Sequence, residues 1–296
     1  MILDRRSFLK AAVALPLLPP LQSDQLRIGP LGLQLYTVRS EIQKNFEGAL
    51  ARVAAIGYKE VEFAGYFGRS PREVQAILKT NGLAGMSAHF SFASLGDQWP
   101  RIVDDARVMG HQYLVIVTID EASRAEPGIW QRASERFNRA GEVCRAAGIK
   151  LAYHNHLFEF AATGTTKRPY EILLESTDPS LVSMQMDLCW VTAAGQDPAD
   201  YFRRYPGRFS SVHVKDLKRL PAQPAVKGEV ASRDVVLPDL ADVGHGIIGW
   251  TNVLAKARSA GVRHYFVEHD AATAPFDSVE RSFRYLNAMR FTETAR

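Results

Sequence analysis

The sequence predicts one α/β domain of the (β/α)8-barrel class, and three observations lead to this class. Eight β-rich runs alternate with helical patterns over about 265 residues, which is the arithmetic of such a barrel. Helical patterns repeatedly end at a glycine that leads into the next β-rich run. Carboxylate and imidazole side chains stand where several of the runs end, and barrel enzymes place their chemistry at the C-terminal ends of strands.

The β-rich runs are the first element of the pattern. They cover residues 31–36, 59–63, 83–88, 113–118, 150–154, 182–186, 209–214 and 264–267. Glycine is the expected residue after a helix because it readily takes the left-handed conformation that ends one. Five glycines stand in this position: Gly57, Gly82, Gly110, Gly148 and Gly261.

The intervening segments carry helix start signals. Ser70, Pro71 and Glu73 form the pattern of a capping box with proline at the first helical position. Another helix is predicted to start at Asp197–Pro198, and the last to run over 275–290. A doubly wound sheet, the competing architecture, would carry a glycine-rich loop after its first strand, and residues 37–41 contain no glycine.

The connection over residues 217–249 is the longest and has no clear period. Loops of this length in compact domains are usually functional. Because it follows the seventh predicted strand, we interpret it as a lid or a substrate-contacting excursion at the active face. His245 within it either gates the site or has no role.

The N-terminus differs from the rest of the chain. The stretch from Asp4 through Arg5 and Arg6 to Lys10, followed by a short apolar run, resembles a twin-arginine export signal. We therefore assign residues 1–25 to a signal peptide and 26–296 to the barrel, and expect a periplasmic or exported protein. An amphipathic helix closing the barrel bottom is the alternative. No clear cleavage site is present, so the segment is either cut near residues 22–25 or kept as an anchor.

Composition excludes several classes. The chain of 296 residues is 46% hydrophobic and 23% charged, as expected for a folded globular domain without a membrane span beyond the signal. Its net charge of +4 gives no indication of a nucleic-acid partner. With two cysteines, the chain is not expected to depend on a framework of disulfides. We expect Cys144 in the core, and Cys189 either as a small buried hydrophobe or near the site.

Three predicted strands end in groups that suit a divalent cation. Asp187, His213 and Glu268 would converge at one end of a parallel barrel. The fifth strand leads into His154, His156 and Glu159, any of which is a candidate fourth ligand.

Other side chains near strand ends are candidates for contacts with the substrate. Lys215 follows His213 by two residues and would point to the same side, toward a hydroxyl or an oxyanion. Glu62 and His89 would hydrogen-bond hydroxyls, with a structural role as the alternative. An aromatic wall is the last prediction, and its candidates are Tyr36, Phe90, Phe92, Trp190 and Trp250.

Together these motifs resemble the sugar phosphate isomerase/epimerase family, the xylose isomerase-like TIM barrels. The resemblance rests on residues 32–37, 153–160, 185–187 and 213–216 and extends over the chain after the signal. It implies one divalent ion, with manganese preferred and cobalt, magnesium or zinc as alternatives. It also implies that Asp187, His213 and Glu268 are ligands, with Glu159 as the provisional fourth ligand and His154 or His156 as alternatives.

The same resemblance implies chemistry on a small carbohydrate. In family epimerases two metal-bound glutamates form an acid/base pair, whereas here one face carries an imidazole. We therefore predict an isomerase or epimerase that abstracts a proton α to a carbonyl of an unphosphorylated sugar or keto-sugar, with His154, His156, Lys215 and Glu268 as catalytic residues. The alternatives are a keto-sugar lyase or dehydratase that cleaves a 3-keto-glycoside with a histidine base, and a non-catalytic carbohydrate-binding barrel. Another enzymatic alternative is an endonuclease that acts at abasic sites. Neither the net charge of the chain nor the number of candidate metal ligands supports it. The barrel is compatible with a homo-oligomer.

Overall fold

A computed structural model describes residues 27–162, 166–222 and 230–290 of the chain. The predicted export signal lies outside the described residues. The described part contains ten strands, whose bounds are as follows: β1 Leu31–Gln34, β2 Glu60–Phe63, β3 Ala84–Ser91, β4 Tyr113–Thr118, β5 Lys150–His154, β6 Val182–Asp187, β7 Phe209–Val214, β8 Asp216–Leu217, β9 Leu240–Ala241 and β10 His264–Val267.

Helices surround these strands in the order that a (β/α)8 barrel requires. Twelve α-helices are found in the described residues: α1 Arg39–Lys44, α2 Phe46–Ile56, α3 Pro71–Thr80, α4 Trp99–Met109, α5 Glu121–Arg124, α6 Ile129–Ala146, α7 Pro169–Ser176, α8 Leu188–Ala193, α9 Pro198–Arg204, α10 Arg233–Val236, α11 Trp250–Ser259 and α12 Pro275–Ala288. Within this part of the chain, none is long and apolar enough to cross a membrane.

Eight parallel strands close the barrel, which confirms the predicted fold class. Their order around it is β1, β10, β7, β6, β5, β4, β3 and β2. Closure is made by β1, which pairs with β10 through Leu31 and Tyr265 and with β2 through Gly32 and Glu60. All eight predicted strand runs correspond to these strands, and their starts agree within one residue.

The local signals behave as their chemistry predicts. The five helix-ending glycines have φ between 63° and 123°, the left-handed region that a side chain disfavours. The capping box at α3 is formed, because the Ser70 amide donates to Glu73 Oε2 at 2.9 Å and the Glu73 amide donates to Ser70 Oγ at 3.4 Å. Helices α9 and α12 begin at the predicted prolines.

The outer helices cover the barrel with one apolar face each. On α6 the buried side chains recur with helical spacing, at Ala133, Phe137, Ala140 and Cys144. Cys144 therefore lies in the core as predicted. Cys189 is also fully buried, and its thiol is 3.9 Å from the carbonyl oxygen of Asp216.

The described residues of the long connection contain regular structure that the sequence did not indicate. It contains the antiparallel pair β8 and β9 and the short helix α10. Asp216 fixes its end, because its carboxylate accepts the amides of Gly244, Gly246 and Ile248 and the indole N–H of Trp250 at 2.8–3.3 Å. Position 246 has no room for a side chain, since a Cβ there would lie 2.2 Å from Asp216 Oδ1.

Candidate active site

Asp187, His213 and Glu268 converge at the C-terminal end of the barrel, and we call them the ligand triad. Asp187 and His213 are register partners on β6 and β7, and Glu268 directly follows β10. His213 Nδ1 lies 3.0 Å from Glu268 Oε2 and 3.9 Å from Asp187 Oδ2. One candidate ligand atom from each residue lies within 4.8 Å of the other two. Three strand ends therefore supply two carboxylates and an imidazole around one point.

The donor chemistry of the triad fits a divalent cation. Carboxylate oxygen and imidazole nitrogen suit manganese, zinc and cobalt alike. Asp187 Oδ2 is completely buried and lies 3.1 Å from the Lys215 ammonium. A buried carboxylate oxygen is costly unless a cation is near it, and a metal ion bound here would share this oxygen with the lysine. The triad is thus able to hold a metal ion.

Lys215 places its ammonium beside the same oxygens. Its Nζ lies 3.1 Å from Asp187 Oδ2, 2.7 Å from Glu268 Oε2 and 2.6 Å from Asp270 Oδ2, and its side chain is fully buried. Burial alone would lower the pKa of Lys215, but the three carboxylates raise it well above its usual value. The lysine is therefore charged and balances the acidic cluster.

Glu62 has a different place from the one expected. Its carboxylate does not line the cavity; it lies beneath His213, whose Nε2 is 2.6 Å from Glu62 Oε1. The same carboxylate accepts from the side-chain amides of Gln34 and Gln185 at 2.8 and 2.7 Å. Of the two roles predicted for Glu62, contact with substrate hydroxyls or a structural role, these contacts support the structural one, because the side chain is fully buried and engaged by the protein.

The contact with Glu62 fixes the orientation of the His213 ring. With Nε2 held by Glu62, the Nδ1 side faces Asp187 and Glu268, the arrangement in which a carboxylate orients a metal-binding imidazole. Burial lowers the pKa of His213, but Glu268 and Glu62 outweigh burial and raise it to about 10. Burial likewise raises the pKa of Glu62, yet His89 and His213 hold it well below its usual value.

His89 belongs to the same network but reaches the cavity. Its Nε2 lies 2.9 Å from Glu62 Oε1 and 2.9 Å from Gln185 Oε1, and its ring stacks on His213 at 5.4 Å. His89, His154 and His213 also form a second group whose nitrogens come within 4.8 Å of one another. His213 is thus shared between two sets of potential ligands.

The two imidazoles after β5 line the cavity beside the triad. His154 Nε2 lies 4.0 Å from Asp187 Oδ2, and His154 Nδ1 lies 3.1 Å from Gln185 Oε1. His156 Nδ1 is buried and has no hydrogen-bond partner among the described residues. Burial is the main cause that lowers the pKa of both histidines, and it brings the pKa of His156 to about 3. The next cause is the charge of His213 for His154 and the charge of Lys215 for His156. Both rings are therefore neutral.

Glu159 is not brought to the triad. Its Oε1 accepts the hydroxyl of Tyr153 at 2.7 Å and its Oε2 accepts the amide of His156 at 2.9 Å. The strand ends at His154 and the chain turns into a 3-10 helix at Phe158–Phe160, so the side chain packs against β5. The provisional assignment of Glu159 as a metal ligand is therefore corrected: it supports the turn that carries His156. Burial raises its pKa to about 7.

A cavity of about 740 Å³ opens above the triad. Several predicted site residues line it, namely Tyr36, His89, His154, His156, Trp190, Lys215 and Glu268. Phe90 and Trp190 supply aromatic surface, whereas Phe92 packs against Phe137 and Trp250 binds Asp216, so these two do not form the predicted wall. The exposed His245 is not part of the lining.

Some lining residues were missed by the sequence analysis. Asp270 follows Glu268 by two residues and joins Lys215 to Arg233, whose Nη2 lies 3.0 Å from Asp270 Oδ1. Its signal was the i, i+2 spacing, which also pointed to Lys215. Arg233 belongs to the long connection, so this excursion contacts the site as predicted. Arg124 on α5 also lines the cavity, and no motif marked it.

The fold and the triad define an α/β barrel with a strand-end ligand set. A profile of the Xylose isomerase-like TIM barrel family matches residues 50–289, and the chain belongs to this family. Inosose dehydratase from Lacticaseibacillus casei is 24% identical over 269 residues, which cover 82% of this chain and 89% of that protein.

Solved structures show the same fold. A sugar phosphate isomerase/epimerase from Parabacteroides distasonis superimposes with a TM-score of 0.72 at 24% identity, covering 89% of this chain and 97% of that one. The IOLI protein with a bound zinc atom superimposes with a TM-score of 0.66 at 12% identity, covering 87% and 96%.

Proposed function

We propose that this protein is a divalent-metal-dependent dehydratase or lyase that acts on a keto-sugar or keto-polyol. The observation that carries the proposal is the position of two imidazoles, His154 and His156, which line the same cavity beside the ligand triad. The relatives named inosose dehydratase support loss of water as the overall reaction. This narrows the isomerase or epimerase prediction to its lyase alternative.

The first step is abstraction of a proton from the carbon next to the carbonyl. His156 is the proposed base, because its ring lines the cavity and its Nδ1 has no hydrogen-bond partner among the described residues. His154 lies closer to Asp187 and is proposed to complete the ligand set. Glu159 holds the His156 amide and so positions the base.

Charge in the enolate is stabilised from the other side of the cavity. A divalent ion held by Asp187, His213, Glu268 and His154 would supply Lewis acidity toward the carbonyl oxygen. Lys215 is charged and lies within the same cluster, so it can donate a hydrogen bond to the developing oxyanion or to the departing hydroxyl. Glu268 faces both the triad and the cavity. Burial raises its pKa, but Lys215 and His213 hold that pKa well below the usual value, so Glu268 stays ionised and serves as a ligand. The proton that His156 takes from carbon can be passed to the departing hydroxyl, so that water leaves and the neutral imidazole is restored.

Two further properties belong to this proposal. We propose manganese as the ion, with cobalt, magnesium or zinc as alternatives. The predicted export signal favours an unphosphorylated carbohydrate met outside the cytoplasm.

The test combines metal analysis with proton exchange. The metal-loaded protein is incubated in deuterated water with scyllo-inosose and with 3-ketoglucose, and the substrate and product are followed by NMR and mass spectrometry. Deuterium uptake next to the carbonyl together with loss of water is the expected result. Exchange without loss of water would favour an isomerase or epimerase, and no exchange by the loaded protein would overturn the proposal. His156→Gln should lose the exchange, whereas His245→Gln, at an exposed histidine outside the cavity, should retain it.

A further inference from the structure

One wall of the cavity is a continuous stack of side chains. The Lys215 ammonium lies 4.6 Å from the Trp190 ring centroid, His156 stacks between Trp190 and Phe158 at 6.2 and 5.7 Å, and the Arg124 guanidinium lies 3.7 Å from the Phe158 centroid. All five residues line the cavity. Trp190 is fully buried, while His156, Phe158 and Arg124 are partly exposed. The wall therefore runs from the acidic cluster outward to the rim.

Arg124 lies at the outer end of this wall, and its guanidinium has a hydrogen-bond donor that no described residue uses. Its Nε is buried without a hydrogen-bond partner, and no ion pair of its guanidinium occurs among the residues that the structure describes. Other arginines of the cavity and its surroundings are engaged: Arg233 binds Asp270, and Arg39 binds the carbonyl oxygens of Tyr36 and Asp270. An arginine that is held flat on an aromatic ring presents its N–H donors in a fixed plane. Arg124 is thus preorganised for a polar ligand that the protein does not supply.

The size of the cavity points to the same conclusion. Its volume of about 740 Å³ lies in the upper part of the range of about 300–1,000 Å³ found for drug-sized ligands. A single sugar ring held at the ligand triad would leave the rim near Arg124 and Phe158 unfilled. Sugars are bound by aromatic surface together with planar donors and acceptors.

We propose that Arg124 and Phe158 form an outer subsite for a second, neutral sugar unit, so that the substrate is a keto-sugar with a glycosidic substituent. This rests on the proposed function, because it places the keto-sugar ring at the inner end. Glu121, one helical turn before Arg124, also lines the cavity and offers an acceptor for hydroxyls. Because Glu121 and Arg124 line the same cavity with opposite charges, their charges balance, which favours a neutral, hydroxyl-bearing glycosyl group over an anionic substituent.

The experiment compares one ring with two rings. Deuterium exchange is measured with 3-ketoglucose and with 3-ketosucrose for the wild type, Arg124→Met, Arg124→Lys and the control Arg132→Met. Arg132 pairs with Glu126 on the exposed surface and does not line the cavity. Arg124→Met should raise KM for 3-ketosucrose about tenfold or more, through loss of charged hydrogen bonds, and leave 3-ketoglucose within about twofold. Arg124→Lys should fall between the wild type and Arg124→Met, and Arg132→Met should match the wild type.

Two outcomes overturn the subsite: equal loss for both substrates in Arg124→Met, or no change for either. Calorimetry with unoxidised sucrose and glucose separates this proposal from the proposed function, because it needs no turnover. Preference for sucrose that Arg124→Met abolishes would support the subsite even if the wild type showed no exchange. Equal binding of both sugars by the wild type would overturn it, whatever the exchange assay gives.

Discussion

Two buried histidine–glutamate pairs lie at opposite ends of the barrel, and only one of them is part of a candidate site. At the C-terminal end His213 Nε2 lies 2.6 Å from Glu62 Oε1, and near the N-terminal end His264 Nδ1 lies 2.9 Å from Glu60 Oε2. Glu60 and Glu62 are two residues apart on β2, so both point into the barrel, in different layers.

The surroundings of the two pairs differ. Around His213, two further carboxylates, a charged lysine and a large cavity converge. Around His264, the described neighbours are the aromatic rings of Tyr113 and Phe266, and no cavity-lining residue is part of the pair. A buried histidine–carboxylate contact by itself therefore indicates only a structural role, and its convergence with other candidate ligands at a cavity is what marks the His213 pair as part of a candidate site.

The largest expected effect comes from breaking the ligand triad itself. Asp187→Asn keeps the shape of the side chain and removes the charge of a completely buried candidate ligand. We expect bound metal to fall from one equivalent to near zero and activity to fall by at least about a hundredfold, because even outer partners of metal ligands contribute ten- to hundredfold. Inductively coupled plasma analysis of the dialysed protein measures the metal. One equivalent retained in the variant would show that Asp187 is not a ligand.

Exchanging the two glutamates of β2 tests the comparison directly. Glu62→Gln should weaken metal binding by about ten- to hundredfold, because it removes the carboxylate that orients His213. Glu60→Gln should leave metal affinity within about twofold and cost about 1–3 kcal/mol of stability through the unpaired His264. Metal titration calorimetry and urea unfolding of the metal-free proteins measure the two effects. Equal losses of metal affinity in both variants would remove the distinction between the two ends.

The sequence was informative where a residue's place follows from strand order. The strands were predictable because glycines and β-rich runs mark their ends, and Asp187, His213 and Glu268 came together because parallel strands end at one face of a barrel. Nothing beyond alternation along the strand was needed to place Lys215 on the same side.

The sequence did not show in which layer of the barrel a side chain lies, or where the chain turns after a strand. Glu62 was expected at the mouth, but a strand position does not state in which layer of the barrel a carboxylate finds its partners. Glu159 was assigned provisionally as a ligand from the family resemblance, because the fifth strand ends at His154. The chain then turns into a 3-10 helix at Phe158–Phe160, a turn that the resemblance did not reveal. Arg124 was missed because its role depends on a stack of rings brought together from three different segments.

Replacing Lys215 should have a smaller effect, which strengthens metal binding but lowers activity. Lys215→Met removes the cation that lies 2.7 and 3.1 Å from ligand oxygens, so metal binding should strengthen by about tenfold while the metal-free protein loses stability. Activity should fall by about a hundredfold if the ammonium stabilises developing charge. Lys218→Met, at an exposed lysine, is the matched control. Weaker metal binding in Lys215→Met would show that the lysine supports the ligands instead of competing with the ion.

Glu159 should show the smallest effect on the metal. Glu159→Gln is expected to retain one equivalent of metal, because both carboxylate oxygens bind Tyr153 and the His156 amide and not the ligand triad. Its contribution to stability depends on pH. Burial raises its folded pKa from 4.5 to about 7, so the folded state binds the proton more tightly than the unfolded state. The stability from this group is fully present below pH 4.5 and is lost as pH rises through about 7. The variant, which has no ionisable group at this position, should show a flatter profile of unfolding free energy from about pH 5 to pH 8, measured in urea. An unchanged slope would mean that Glu159 does not hold this proton in the folded protein, and loss of metal in the variant would return it to the ligand set.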